Sequence, residues 1–258
     1  MFTQSPDTIA ANINGVVEWF AAEGLTMKDY LRASLKKPSL FHRPPRSIAA
    51  NINGVVDRFA PDGLTVKGYL HAAIKQPNLF YQSPATIAAN INGVVDRFIA
   101  DGLTGRKYIR AAMRQPPLFY QSPDTIAANI NGVVERFATD GLTVSDYLQA
   151  ILKQPPLFSQ SPETIAANIN GVVEQFSAEG LTVRDYLKAA RSQPTLFYQK
   201  PTTIIRHITL ILEIYDSGIY ILPRPRNEAE RAKRHAHVHA PAIRFLLRYP
   251  EMLCRDGV

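Results

Sequence analysis

The sequence predicts an all-α solenoid of five near-identical 39-residue helical repeats, followed by a divergent sixth, capping repeat. Three observations predict it. The nonapeptide IAANINGVV recurs unchanged from Ile9, Ile48, Ile87, Ile126 and Ile165, each start 39 residues after the last. Within each copy the apolar residues recur at helical spacing, and no stretch alternates apolar and polar residues as a half-buried strand would. Proline and glycine stand at fixed places in each copy, where helices begin and stop. A period in this range marks units that bury their apolar faces only by stacking on neighbours. On this reading residues 1–199 hold the five tandem repeats, and residues 200–258 hold the divergent repeat with a basic insertion.

The copy at 122–160, SPDTIAANINGVVERFATDGLTVSDYLQAILKQPPLFSQ, gives the elements in order. Ser122 is a good N-cap, and Pro123 fits the first helical position, where its missing N–H costs nothing. Ile126, Ile130, Val133, Val134 and Phe137 then follow one helical stripe, for a first helix of about five turns. Gly141 supplies the stop, since glycine tolerates the left-handed conformation that ends many helices. Thr143 opens a second helix, with Asp146 three residues on as in a capping box, and Thr26/Asp29 and Thr182/Asp185 repeat the pair. Tyr147, Leu148, Ile151 and Leu152 form its buried side. It must end near Gln154, before Pro155 and Pro156. A short turn through Leu157 and Phe158 leads to the next Ser-Pro.

Around the first helix Ile126, Ile130, Val133 and Phe137 cluster on one side, with Ala128 and Gly132 on the other. The second side lets a neighbouring helix come close, which accounts for a mid-helix glycine that costs about 1 kcal/mol relative to alanine. For Asn129 and Asn131 two uses stay open, hydrogen bonds to a neighbouring helix or backbone, and contact with nucleic acid.

Residues 200–218 keep the pattern through Pro201, Ile204, Ile208, Ile211, Leu212 and Tyr215, while the nonapeptide becomes IIRHITLIL. PRPRNEAERAKRHAHVHAPA then inserts Arg224, Arg226, Arg231, Lys233 and Arg234, and AIRFLLRYPEML recovers the second-helix pattern.

Composition narrows the function. Hydrophobic residues at 46% and charged residues at 20% belong to a folded chain, not a disordered one. The single Cys254 excludes a disulfide framework and suits a reducing, intracellular compartment, a bacterial cytoplasm or, with a leader or delivery signal, an organelle or host cell. No signal or transit peptide is expected, since the repeat begins close to Met1 and the first arginine is Arg32. The longest apolar stretch, Ile204 to Tyr215, is interrupted by Arg206, His207 and Glu213, so no membrane partner is expected. No nucleophile, base and orienting group recur together and no glycine-rich phosphate loop occurs, so the expectation is a non-enzyme without a cofactor. His235, His237 and His239 would share a face only on a strand, and in a helical context they diverge, so no metal is expected.

The net charge of +7 and a pI near 9.5 direct attention to where the cations sit. Three second-helix positions spaced i, i+4, i+8 differ between copies and are expected to face solvent. They read Lys28, Arg32, Lys36; Lys67, His71, Lys75; Arg106, Arg110, Arg114; Ser145, Gln149, Lys153; and Arg184, Lys188, Ser192. Eleven of these fifteen are Lys or Arg and none is acidic, whereas a merely solvated helix face mixes both signs. A basic ribbon of this kind suits a polyanion. If it neutralised about five to eight phosphates, log affinity would fall against log salt with a slope of about −5 to −7.

Trp19, Arg58, Arg97, Arg136 and Gln175 share one position on the first helix. Their arginines could contact nucleic acid, with pairing to neighbouring acids such as Asp57, Asp96 and Glu135 the favoured use. Tyr81, Tyr120 and Tyr198, with His42 and Ser159 at the matching places, are expected to pack between repeats, with stacking on bases the other use.

The stretch QPPLFYQSPDTIAANINGVVERFATDGLTVSDYLQAILKQPPLF resembles the mitochondrial transcription termination factor repeat. Proline followed by leucine and an aromatic, a helix with a central Asn-Ile, a terminal Gly-Leu-Thr and a helix returning to proline carry the likeness over nearly the whole chain. The resemblance implies a superhelical solenoid that binds duplex DNA, or in some members RNA, through a basic concave surface and acts on organellar gene expression. The near identity of the copies departs from the divergent repeats of that family, and fits recent duplication in a bacterial protein. A weaker likeness links I-A-x-N-I-x-G to the Asn-Ile-Gly-Gly segment of transcription activator-like effector repeats, which are shorter and lack the Pro-Leu-Phe and Gly-Leu-Thr elements. The functional expectation is therefore a modular nucleic-acid-binding protein acting in transcription regulation, with duplex DNA favoured over RNA. The alternative is a protein-interaction scaffold, such as a bacterial effector, for an acidic partner.

Overall fold

The computed structural model describes residues 5–216 and Pro250, and among them every regular element is helical. The chain divides into two compact units, Met1–Ala127 and Ala128–Val258. The first unit contains α1 (Pro6–Trp19), α2 (Met27–Lys36), α3 (Pro45–Phe59), α4 (Val66–Lys75), α5 (Pro84–Phe98), α6 (Gly105–Arg114) and the start of α7 (Pro123–Phe137). The second contains the rest of α7, then α8 (Val144–Lys153), α9 (Pro162–Gln175), α10 (Val183–Ser192) and α11 (Pro201–Asp216). Helices pack in neighbouring pairs. In the first unit α1, α3 and α5 form one row and α2, α4 and α6 a second, joined by the α1–α2, α3–α4 and α5–α6 pairs. In the second unit α9 packs on α11, α8 on α10, and α9 on α10.

Local chemistry sets where each helix begins and ends. Ser5, Ser83 and Ser161 hold extended backbone, and their hydroxyls accept from the amides of Thr8, Thr86 and Thr164. The first helices are 14 or 15 residues long, about four turns rather than five. They stop early because the chain leaves the α-helix at the phenylalanine to reach the left-handed glycine. The Leu25 amide donates to the Phe20 carbonyl and the Gly24 amide to Ala21, with Gly24 at φ +86°, and the same closure recurs at Gly63, Gly102, Gly141 and Gly180. Phe20 and Leu25 are both buried, supplying the apolar contact of that motif.

The second helices start on Thr26, Thr65, Thr104, Thr143 and Thr182, each accepting from the amide three residues on. The expected capping box is altered. The carboxylates of Asp29, Asp146 and Asp185 take the threonine hydroxyl, at 2.6, 2.7 and 2.6 Å, instead of reaching back to the threonine amide. Aspartate is one methylene shorter than the glutamate that closes that box. Tyr147, Leu148, Ala150 and Ile151 are the buried side of α8, and Leu152 is half-buried. Each second helix is followed by a short 3-10 turn, such as Pro77–Phe80 or Pro155–Ser159, that buries its leucine. The hydroxyls of Tyr30, Tyr69, Tyr108 and Tyr186 donate to the carbonyls of Leu40, Leu79, Leu118 and Leu196 in those turns. Tyr30 also meets Phe80 of the next copy edge to face at 5.4 Å, as Tyr69 meets Phe119 at 5.4 Å and Tyr147 meets Phe197 at 5.3 Å.

The mid-helix glycine has one definite neighbour, the proline that opens the next copy's first helix. A Cβ on Gly15, Gly54 or Gly93 would stand 2.7, 2.8 or 2.8 Å from the ring of Pro45, Pro84 or Pro123. In the second unit a Cβ on Gly132 would stand 2.6 Å from the Pro162 ring and one on Gly171 3.2 Å from the Pro201 ring. The expected close approach is therefore made at the glycine. It does not extend to the alanine, since Ala128 and its equivalents Ala11, Ala50, Ala89 and Ala167 are exposed. The proline ring covers one turn of helix, and the alanine lies a full turn before it.

The asparagines divide. Asn12, Asn129 and Asn168 donate to the carbonyls of Phe41, Phe158 and Phe197, tying the first helix to its own copy's 3-10 turn. Asn14, Asn92, Asn131 and Asn170 are exposed and Asn53 half-buried, and none of these five makes a hydrogen bond among the described residues.

The first copy shows what stacking contributes. Leu35 is 74% exposed while Ile74 and Met113 at its position are half-buried, and Pro38 is exposed while Pro77 and Pro116 are buried. In α11, Ile204, Ile208 and Ile211 are buried as the repeat pattern requires. The side chains of Leu212 and Tyr215, the basic insertion with Arg224, Arg226, Arg231, Lys233 and Arg234, and all of AIRFLLRYPEML except Pro250 lie outside the described residues.

Two outcomes follow from this packing. Alanine normally improves a helix by about 0.5–1 kcal/mol over glycine. Gly54→Ala is nonetheless expected to destabilise by about 1–3 kcal/mol because its methyl overpacks the Pro84 ring, with a smaller loss for Gly171→Ala, and urea unfolding midpoints rank the two. Burial also pushes the hydroxyls of Tyr30, Tyr69, Tyr108 and Tyr147 above their usual 10.0. Since the folded value is the raised one, this contribution is whole below pH 10 and is lost as pH climbs above it. In an alkaline titration these tyrosines should ionise only together with the loss of helical circular dichroism. Complete ionisation near pH 10 with the helices intact would contradict the burial.

Candidate nucleic-acid interface

Helix periodicity and the core decide where the cations go. In each second helix the tyrosine, the leucine or isoleucine and the alanines take the buried side, so positions i, i+4 and i+8 are turned outward. Lys28, Arg32 and Lys36 on α2, Lys67, His71 and Lys75 on α4, and Arg106, Arg110 and Arg114 on α6 are all exposed. These nine positions lie along one row of adjacent helices in the first unit. In the second unit Lys153 on α8 and Arg184 and Lys188 on α10 are exposed, with Gln149 and Ser192 also exposed and Ser145 half-buried.

Two local features temper the free charge of this row. Lys36, Lys75, Arg114 and Lys153 end their helices, where a cation is favoured by the helix dipole whatever else it does. Arg106 donates to the Pro61 carbonyl at 3.5 Å. A cleft between α2 and α4 has Arg32, Lys67, His71 and Lys75 around it and Leu70 and Ile74 in its wall. One carboxylate oxygen of Glu23, at its edge, is buried without a hydrogen-bond partner.

The second-helix acids Asp29, Asp146 and Asp185 keep their charge but sit at the helix N-termini, where they accept from their threonine caps, and are outnumbered by the cations of the row. Sequence reasoning missed where the other acids gather. Glu18, Asp57 and Asp96 occupy one position on α1, α3 and α5, with Glu135 on α7 and Glu174 on α9, and all are exposed. Their 39-residue spacing was the available signal. A second column, Glu23, Asp62, Asp101, Asp140 and Glu179, is half-buried just before each left-handed glycine. The Asp62 carboxylate lies against Gly105 at the N-terminus of α6, where the helix dipole favours an anion.

The first-helix arginines are drawn into ion pairs, though not with the acids expected. Arg97 pairs with Asp124 and Arg136 with Glu163, each on the first helix of the next copy. The neighbours Asp96 and Glu135 are one residue away, about 100° around the helix, and face elsewhere. The Glu163 carboxyl is held below its ordinary value, first by its own backbone amide and then by Arg136. Arg58 is exposed and makes no ion pair among the described residues, and Ala85 stands where an acid would meet it. Trp19, at the same position, is 54% exposed.

The tyrosine column serves packing. The Tyr81 hydroxyl donates to Asn78 at 2.6 Å, and its ring receives Lys37 and Arg43 of the preceding copy, 5.4 and 5.0 Å from the centroid. The Tyr198 oxygen accepts from Gln154 at 2.7 Å. Tyr120 is half-buried, and burial raises its hydroxyl above the ordinary value. Arg191, which replaces the apolar residue of other copies, donates to the Gly141 carbonyl and lies 3.3 Å from Asp146.

Among the described residues no group of three His, Cys, Asp or Glu side chains could hold a metal ion, and no helix is long and apolar enough to cross a membrane. His235, His237, His239 and Cys254 lie outside them. The chain matches no protein-family model, and no curated protein matches it.

Proposed function

We propose that the chain is a solenoid of five helical repeats with a divergent sixth, and that its second-helix row binds nucleic acid, duplex DNA in preference to RNA. The observation that carries this reading is the single-sign row on α2, α4 and α6. Eight exposed cations and His71 stand there at helical spacing with no acid among them. A polyanion with regularly spaced phosphates matches such a row, and releasing its condensed counterions drives the binding. The resemblance to mitochondrial transcription termination factor repeats points the same way, toward a role in gene expression without catalysis.

Contacts of this kind position rather than read. Lys and Arg on a helix face take phosphate oxygens, and Arg106, Arg110 and Arg114 can each present two donors to one phosphate. Sequence preference then has to come from elsewhere, or from the shape of the duplex. Arg97 and Arg136, held by Asp124 and Glu163, contribute less than their charge suggests.

The test is the triple variant Arg106→Gln, Arg110→Gln, Arg114→Gln, titrated with random duplex DNA at several salt concentrations. Its helical circular dichroism should match the parent, since all three side chains are exposed. Affinity should fall, and the slope of log affinity against log salt should shrink by about 2 to 3. Unchanged affinity at every salt concentration would sink the proposal. Equal displacement of bound DNA by an acidic polypeptide of matched charge would instead favour the scaffold for an acidic protein.

A further inference from the structure

Folding accounts for seven of the nine residues in IAANINGVV. In the first copy Ile9, Ile13, Val16 and Val17 serve the apolar packing, Asn12 holds the Phe41 carbonyl and Gly15 seats Pro45, while the position of Ala10 is buried in the next two copies as Ala49 and Ala88. Ala11 and Asn14 remain, three residues apart on one face, as do Ala50 and Asn53 on α3 and Ala89 and Asn92 on α5. Asparagine is a poor residue for a helix interior, and these amides bond nothing among the described residues. Four residues further along the same face stand Glu18, Asp57 and Asp96, exposed and in no ion pair. The three helices pack side by side, so this face presents three like rungs, each a small alanine, a free amide and a free carboxylate. Exposure alone does not impose such sameness. Asp7, Arg46 and Ala85 are exposed on the same helices and differ in each of these three copies, and Trp19 stands where α3 and α5 carry Arg58 and Arg97.

We propose that this face of α1, α3 and α5 docks an extended, Lys- and Arg-rich peptide segment of a partner protein. An asparagine amide offers a donor and an acceptor, the complement of a peptide C=O and N–H. Packed helices lie about 8–10 Å apart, and a polyproline II strand advances about 9.3 Å in its three-residue turn. One rung therefore meets every third peptide residue in the same orientation. The alanine leaves room for the peptide backbone, and the carboxylate one turn on receives a cationic side chain. That carboxylate is also what decides against nucleic acid here, because each rung would set it against a phosphate. The neighbouring cations do not reverse the sign. Arg97 is paired with Asp124, Arg58 projects about 100° away, Arg46 shares the face of the middle rung but stands one turn before Ala50 and about three turns from Asp57, and Trp19 gives the first rung an exposed ring that suits a cation. The surface is distinct from the second-helix row, so the two bindings stand or fall separately.

The experiment titrates the full chain against a labelled peptide of about twelve residues, carrying arginine at every third position and rich in proline, with fluorescence anisotropy as the readout. Asn53→Ala and Asn92→Ala should each weaken binding about five- to tenfold, the effect of losing one or two hydrogen bonds, while leaving the helical spectrum unchanged. Asp57→Asn with Asp96→Asn should weaken binding and flatten its salt dependence. The triple glutamine variant of Arg106, Arg110 and Arg114 should bind the peptide as the parent does. Parental affinity in both asparagine variants would overturn the proposal, as would weaker binding of duplex DNA by those same variants.

Discussion

A proline ring lying on a helix turn that has no Cβ is the contact on which this fold depends. The glycine and its proline are 30 residues apart in every copy, from Gly15 and Pro45 to Gly171 and Pro201. The two partners are complementary. The proline is already fixed at its helical φ and needs no hydrogen bond at the first position, while the glycine leaves no Cβ in the space its ring takes. The seat therefore places the start of one first helix against the middle of the previous one at a single height. The cost of a mid-helix glycine, about 1 kcal/mol, is offset by that registration and by the apolar burial it allows.

The rest of each copy is arranged around this seat by short-range chemistry. The phenylalanine, left-handed glycine and leucine turn the chain back, the threonine starts the second helix, and in every copy but that of Tyr147 the tyrosine hydroxyl reaches the leucine carbonyl of the 3-10 turn that delivers the next proline. Asn12, Asn129 and Asn168 close the circuit from the other side by holding the phenylalanine carbonyl. A copy is thus a loop of directed contacts rather than two helices in loose apposition. Its identical length in all five repeats is a consequence, because one inserted residue would part the proline from its glycine.

These devices were legible in the sequence to the extent that they are local. Caps, the left-handed stop and the proline breaks act within a turn or two of the residues that signal them, so Pro123, Gly141, Thr143 and Pro155 read correctly in isolation. What depends on a neighbour did not. Angles around a helix show that Ala128 and Gly132 share a side, but not that a single proline ring covers one and leaves the other in solvent. Arg97 has an acid beside it in the chain, yet its partner is Asp124, 27 residues on, because stacking brings the next helix's first turn to its side. The acids of the first helices were visible one at a time, and their alignment became evident only with α1, α3 and α5 in one row.

Separation of charge is the consequence that bears most on function. The fold needs no charge at any buried position of either helix, so each exposed column is free to take one sign across copies. The second-helix row took Lys and Arg, and the first-helix row took Asp and Glu beside a constant asparagine. A random solvated surface gains from mixing signs within each helix face, whereas Arg97 with Asp124, Arg136 with Glu163 and Arg191 with Asp146 pair at the seams between copies. Two faces of opposite character on one scaffold are better suited to two different partners than to one. The copies agree where stacking demands it and in the amide and carboxylate rungs, and they disagree along the basic row. A row whose members interchange Lys, Arg, His, Gln and Ser fits a partner recognised by its charge. Rungs that keep the alanine, the asparagine and a carboxylate, Glu or Asp, in every copy fit a partner recognised by its backbone, which repeats.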